Sequence, residues 1–204
     1  ILNSGTDSSF LTIKTAQNNR DDNGHGDFYY APPSGHLALC SANISEPTIG
    51  PNSGTNEQAD DYFNTVLWTG NGGTQNITGL GFKPDWIWHK NRSNALTSGL
   101  TDSSRGLTKQ LASNSTGADQ TTNDGITAFG TDGFSLGAGT EQYSSNTNSH
   151  TYVAWNWKAN GGTTTTNDAS STSVGTIDSV YQANTKAGFS IVLYTGTGSA
   201  GTIA

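Results

Sequence analysis

The sequence predicts an all-β protein built as a β-sandwich of jelly-roll or lectin type, with at most one short helix. Three observations support this fold class. Apolar and aromatic residues cluster in short runs rich in β-branched side chains. Gly, Asn or Pro bounds most of these runs. Strand-like runs do not alternate with long helical patterns, as they would around a parallel sheet.

Four runs have the strongest strand character. They are FNTVLWT (63–69), DWIWHK (85–90), TYVAWNWK (151–158) and FSIVLYT (189–195). Successive side chains of a strand point to opposite faces. In the third run this period places Val153, Trp155 and Trp157 on one face and the intervening residues on the other.

Two further elements are predicted between these runs. ITAFGTDGFSL (126–136) is typical of a hairpin, because Asp132-Gly133 tolerates the positive φ of a tight turn. Ser103–Ser113 is the one helical candidate, with Asp102 as N-cap and Leu107 and Leu111 one turn apart.

The composition limits the partners. The chain has 204 residues, 12% charged, a net charge of −7 and a sequence pI of about 4.7. A basic footprint for nucleic acid is missing, so we expect no nucleic-acid partner. The apolar runs are far shorter than the ~20 residues that span a bilayer, so we expect no membrane insertion. The absence of an initiator Met indicates an excerpt of a longer polypeptide.

No cofactor or metal is expected from local motifs. GTGSAG (196–201) follows a strand but lacks the helix that dinucleotide binding requires, so a hairpin turn is favoured. The segment 21–27 (DDNGHGD) resembles a calcium loop but lacks its spacing and closing Glu, so a surface turn is favoured. Cys40 is alone and cannot form an intrachain disulfide.

The chain repeats itself at a shift of 126 residues. FNTVLWTGNGGTQNI (63–77) and FSIVLYTGTGSAGTI (189–203) share seven of fifteen positions. We therefore expect a tandem module. The first copy spans 61–160 and the second begins at 187–204. The polar segments 46–60 and 161–186 are predicted to be linkers, the latter rich in Thr and Ser.

The tryptophan strands allow two interpretations. Exposed aromatic rings stack on sugars, so a glycan site could be formed by Trp86, Trp88, His89, Asn91 and Arg92. A chain poor in Leu and Ile also needs aromatic core filler, and this interpretation is favoured. We expect Trp86 or Trp88 to be buried against Trp155 or Trp157. The polar residues of the set are the better surface candidates.

Five ordered motifs carry a resemblance to a known module. They are YFNTVLWTGNG (62–72), GLGFKPDWIWHKNRS (79–93), DSSRGLTKQLASNS (102–115), ITAFGTDGFSLG (126–137) and TYVAWNWKANGG (151–162). Together they resemble a module of tail-fibre and other virion proteins of marine bacteriophages. His89 and Asn156 depart from it, because apolar residues or Cys are expected there. GHGDFYYAPPSGHLALCSANI (24–44) resembles the end of a SPRY-like β-sandwich, which implies such a domain over 1–45.

The resemblance implies a function on the surface of a virus particle. We expect a non-enzymatic structural protein of a tail fibre, appendage or surface decoration, involved in host attachment. Its partners would be other virion proteins, host-surface glycans and further copies of itself, as a trimer. The alternatives are a tail-borne glycan depolymerase, which needs a pair of acids in a groove, and a bacterial adhesin.

Overall fold

The computed structural model of the protein describes residues 17–44, 57–122, 125–138 and 145–203. The chain divides into two compact units. The smaller comprises residues 1–48 with 52–54, and the larger comprises 49–51 with 55–204. Most of the predicted linker 46–60 lies outside the described residues.

The larger unit is all-β, which confirms the predicted fold class. Its strands are β1 (Phe63–Thr69), β2 (Gln75–Thr78), β3 (Trp86–Asn91), β4 (Gly99–Asp102), β5 (Lys109–Ala112), β6 (Gln120–Thr121), β7 (Ile126–Gly130), β8 (Gly133–Leu136), β9 (Thr151–Trp157), β10 (Thr165–Asn167), β11 (Ser179–Asn184) and β12 (Phe189–Tyr194). The described residues hold one α-helix, α1 (Ala169–Thr172), of a single turn.

A six-stranded antiparallel sheet is the centre of this unit. Its strand order is β1-β9-β3-β4-β5-β6. The central strand β9 pairs with β1 on one side and β3 on the other, in registers that place Trp157 opposite both Phe63 and Trp86. The two strands richest in tryptophan therefore lie side by side.

A three-stranded sheet, β2-β8-β7, packs on the inner face of the six-stranded sheet. The predicted hairpin is confirmed as β7 and β8, with the turn at Thr131 and Asp132. Aliphatic and aromatic side chains from both sheets fill the space between them, which makes this part a sandwich. The buried cluster consists of Trp68, Ile77, Leu80, Phe82, Ile87, Ile126, Phe134, Leu136, Tyr152 and Ala154.

A second three-stranded sheet, β10-β11-β12, which we call the third sheet, contacts the outer face of the six-stranded sheet. Residues 161–186, which the sequence indicates as a linker, contain β10, α1 and β11. The side chain of Asp168 caps α1 by accepting the N–H groups of Ser170 and Ser171. The second copy of the module, for which 187–204 is the expected start, stays a prediction.

The predicted helix over Ser103–Ser113 is wrong. Asp102 does accept the N–H groups of Ser104 and Arg105, as an N-cap would. The turn is not continued, because Gly106 adopts φ +106 and the chain then enters β5, which pairs with β4. Cross-strand pairing thus overrides a local helical preference.

Asp85 joins the ends of three segments. Its side chain is fully buried, at 0% exposure, and one oxygen accepts the hydroxyl of Ser103 at 2.7 Å. The other oxygen accepts the N–H groups of Ala159 and Gly161, at 2.7 and 2.9 Å. The start of β3, the turn after β4 and the chain after β9 are held together by one carboxylate.

Polar side chains are also buried inside the sandwich. His89 is 1% exposed and Asn156 is 0% exposed, so both occupy the interior positions at which apolar residues were expected. Gly99 lies beside His89, and a Cβ there would collide with the imidazole and with the amide of Gln110. Burial lowers the pKa of His89 to about 4, although a hydrogen bond with Gln110 opposes the shift.

The smaller unit is organised around Asp21. Its carboxylate accepts the N–H groups of Ala38, His25 and Asn23 and the side-chain amide of Asn43. Burial by itself would raise the pKa of Asp21, but these hydrogen bonds bring it down to about 2. The loop that resembles a calcium site thus uses this acid to hold its own backbone.

Removing the Asp85 carboxylate should destabilise the larger unit. Asp85→Ala leaves two backbone N–H groups and a hydroxyl without their acceptor, so the free energy of unfolding should fall by about 3 kcal/mol or more. Urea denaturation measures the loss. Asp60→Ala, at an exposed site, is the control. A change below about 0.5 kcal/mol for Asp85→Ala would contradict the role assigned to it.

His89 should make the fold sensitive to mild acid. Its pKa falls from 6.5 to about 4 on folding, so the unfolded chain binds the proton first. Stability should therefore decrease as the pH falls from 6.5 to 4, by about 3 kcal/mol in total. His89→Gln should remove this part of the pH dependence in urea titrations. Equal slopes for the wild type and the variant would refute it.

Candidate functional site

The outer face of the six-stranded sheet contains the exposed part of the predicted glycan set. The alternation along β3 divides that set into two groups. Trp86 and Trp88 lie on the outer face, while His89 and Asn91 lie on the inner face and are buried. Arg92 follows one residue after the strand and is exposed, and its N–H still donates to the carbonyl of Thr151 at 2.7 Å.

The expectation that His89 and Asn91 are surface residues is wrong. The side-chain oxygen of Asn91 accepts the N–H groups of Ser93 and Asn94 and so holds the turn after β3. Its side-chain nitrogen lies 2.9 Å from Nδ1 of His150. Neither His89 nor Asn91 presents a group to a ligand on the outer face.

Trp86 belongs to a covered aromatic stack. Its ring lies 5.1 Å from that of Trp157 and 5.4 Å from that of Phe189, a residue of β12. The expected contact of one of these tryptophans with Trp155 or Trp157 is confirmed for Trp86, but Trp86 and Trp157 are half-buried on the outer face and neither belongs to the sandwich core. The third sheet covers them, so their role is packing between layers.

Trp88 is the accessible member of a second pair. Its ring centroid lies 5.2 Å from that of Trp155, on the neighbouring strand. The expectation that Trp88 is core is wrong, because 37% of its surface is exposed. Its indole N–H donates to the hydroxyl of Ser113 at 3.2 Å, which fixes the ring orientation. Trp88 and Trp155 therefore offer a rigid apolar surface.

A basic residue, Lys90, lies next to Trp88 on the outer face of β3. Lys90 follows Trp88 at strand period and is exposed. Its ammonium group donates to the hydroxyl of Ser98 at 3.3 Å. We call the outward residues of this segment, Trp86, Trp88, Lys90 and Arg92, the aromatic–basic strip. Lys90 is not among the glycan-site residues expected from the sequence, although the two-residue period along DWIWHKNR places it on the same face as Trp88.

A cleft opens beside this strip, between β12 and the six-stranded sheet. Its volume is about 270 Å³, somewhat below the usual range of small-molecule pockets. The lining residues are Trp86, Leu100, Asp102, Arg105, Leu111, Ser190, Ile191, Val192 and Leu193. Asp102 and Arg105 form an ion pair of 2.6 Å in this lining. The cleft is mainly apolar, and its charged groups already bind each other.

The acidic side chains at turns of the larger unit act as anchors. Asp132 accepts the N–H groups of Gly81 and Gly79, at 2.6 and 3.1 Å, and these hydrogen bonds lower its pKa. Hydrogen bonds from the hydroxyls of Ser170 and Ser171 likewise lower the pKa of Asp168. Carboxylates stabilised in the charged form suit the fixing of loops and are poor proton donors.

Two other features are absent from the described ranges, a metal-binding cluster and a membrane-spanning helix. No group of three or more His, Cys, Asp or Glu side chains is arranged to hold a metal ion there. No helix in those ranges is long and apolar enough to cross a membrane.

Comparison with known proteins identifies a family. A domain of unknown function (DUF7483) matches residues 58–204, from just before β1 to the end of the sequence. No curated protein and no solved structure matches the chain. Because the matched range covers most of its length, the chain belongs to the DUF7483 family.

Proposed function

We propose that the protein is a non-enzymatic structural and attachment module of a bacteriophage particle, in a tail fibre, an appendage or a surface decoration. The observation that carries this proposal is the exposed indole of Trp88, which packs beside the half-buried Trp155 on the six-stranded sheet. Preorganised aromatic surface suits recognition of a partner, because few degrees of freedom are lost on binding. The five ordered motifs that resemble a virion module supply the proposed biological setting.

A binding role also agrees with the use of the acidic side chains. Glycoside hydrolysis requires one carboxyl group that donates a proton and a second that attacks or activates water. In this chain the side chain of Asp85 is fully buried and hydrogen-bonded. Asp102 forms an ion pair with Arg105, and Asp132 accepts a backbone N–H group of the turn at Gly81. These groups support a structural role over the depolymerase alternative.

The particle itself provides the test. In a phage that encodes this sequence, mass spectrometry should detect the chain in purified virions, and gold-labelled antibody should mark the tail or the particle surface. Absence of the chain from intact particles would overturn the proposal and favour a bacterial adhesin. Release of reducing sugar ends from host capsule or lipopolysaccharide would instead favour the depolymerase.

We propose assembly of the protein as a homotrimer. Several weak attachment sites presented together raise the avidity of a fibre without any new contact. Light scattering of the purified full-length protein should then give three times the mass of one chain. A monomer mass across a wide concentration range would contradict this proposal, whatever the outcome of the particle test.

A further inference from the structure

The uncovered part of the aromatic–basic strip combines an apolar surface with positive charge. Trp88 and Lys90 lie on the outer face of β3 and are exposed, while Trp86 is covered by Phe189. Arg92 follows directly after the strand and is also exposed, and its backbone N–H continues the pairing with the neighbouring strand at Thr151. Successive outward residues of a strand are about 7 Å apart, so Arg92 lies about 13 Å from Trp88 along the strip. This length is suited to an extended ligand.

The charge of this face is opposite to that of the whole chain. The described strands of the six-stranded sheet place three charged side chains on the outer face: Lys90, Asp102 and Lys109. Asp102 is neutralised by Arg105, at 2.6 Å. Lys90 and Lys109, with Arg92 beyond the strand, therefore leave a basic face on a protein of net charge −7. Such a local patch selects anionic partners.

We propose that this strip binds an anionic polysaccharide, whose sugar rings carry carboxylate or sulfate groups. One ring would stack on the indole of Trp88, with Trp155 beside it, because the C–H face of a sugar packs against an aromatic ring. The acid groups of that ring and of the next would bind the ammonium of Lys90 and the guanidinium of Arg92. The proposed ligand class rests on the attachment function proposed above, and it names the chemistry of the molecule to which the protein would attach.

Hydroxyl groups near the strip complete a polar border. The exposed hydroxyl of Ser113 accepts the indole N–H of Trp88 and lies beside the ring that would hold the ligand. The hydroxyl of Ser98 accepts a hydrogen bond from Lys90, but Ser98 is only 5% exposed and does not contribute to this border. The hydroxyl of Ser93 lies 2.9 Å from that of Thr151, at the Arg92 end. Sugar hydroxyls can replace or share such hydrogen bonds. An apolar centre with a polar border is the usual anatomy of a recognition surface.

The test is calorimetric binding of the full chain to polysaccharides of different charge, of which dextran sulfate and dextran share one backbone. Alginate supplies carboxylates, dextran sulfate supplies sulfates and dextran is the neutral comparison. Both charged polymers, or one of them, should bind, and binding should weaken as salt increases. The charged polymer that binds identifies the acid group. Failure of both charged polymers, or equal binding of dextran, would overturn the inference.

Variants locate the site. Trp88→Ala should weaken binding about tenfold, as expected for loss of one stacking surface. Arg92→Gln and Lys90→Gln should each weaken it several-fold and reduce its dependence on salt. The control for the ring is Tyr194→Ala, a 56% exposed aromatic of the third sheet. Lys83→Gln is the control for charge.

Folding and ligand class need separate controls. Melting temperatures should change little, because Trp88 is partly exposed and Lys90 and Arg92 are on the surface. If Trp88→Ala unfolds, Arg92→Glu still tests the site, because it reverses one charge and leaves the indoles in place. Full binding by both Arg92→Glu and Lys90→Gln would overturn the inference. Tighter binding of single-stranded DNA than of either charged polysaccharide would reassign the strip to nucleic acid.

The failure of this inference is distinguishable from failure of the proposed function. A chain found in virions that binds no charged polysaccharide would retain its structural role and lose the ligand class. A chain that binds alginate through Trp88 but is absent from virions would retain the site and lose the viral setting.

Discussion

The buried carboxylate of Asp85 fixes the geometry on which the rest of the larger unit depends. It binds Ser103 and two backbone N–H groups after β9, and its own backbone pairs with Trp157 and Ser103. The hydroxyl of Ser103 also accepts a hydrogen bond from Gln182 of β11, at 2.8 Å. One chain of hydrogen bonds therefore links the six-stranded sheet to the third sheet. A carboxyl group at this depth is tolerated because each hydrogen bond made to it offsets part of the cost of removing it from water.

The outer face of the six-stranded sheet has a covered region and an uncovered region. Near Asp85, the third sheet lies over Trp86 and Trp157, and their rings pack against Phe189 between the two sheets. Further along β3 that cover ends, and Trp88 remains open beside Trp155. The same residue type thus serves as structural packing at one end of the strand and as a candidate binding surface at the other. Phe189 of β12 stacks on Trp86 and does not reach Trp88 as a ring contact.

The two similar segments, β1 and β12, show which structural properties follow from local sequence and which do not. β1 and β12 are similar in sequence and both form strands, as their β-branched and aromatic residues predict. In β1, Trp68 faces the sandwich core, whereas the corresponding Tyr194 of β12 is exposed. β1 pairs with β9 and β12 pairs with β11. Similar sequences therefore both form strands, although the two strands have different neighbours and different exposure.

The sequence alone determined the all-β class, the positions of the main strands, the hairpin at 126–136 and the division of side chains between two faces. These are local properties of strand period and turn chemistry. It also predicted that Trp86 or Trp88 contacts Trp155 or Trp157, and the structure decided that the two strands are neighbours and that the pairs are Trp86 with Trp157 and Trp88 with Trp155. Only the tertiary structure decided which face of β3 is the interior, because either face could have been covered. It buried His89 and Asn91 and exposed Trp88, and with it Lys90 on the same face, through long-range packing that no short pattern encodes.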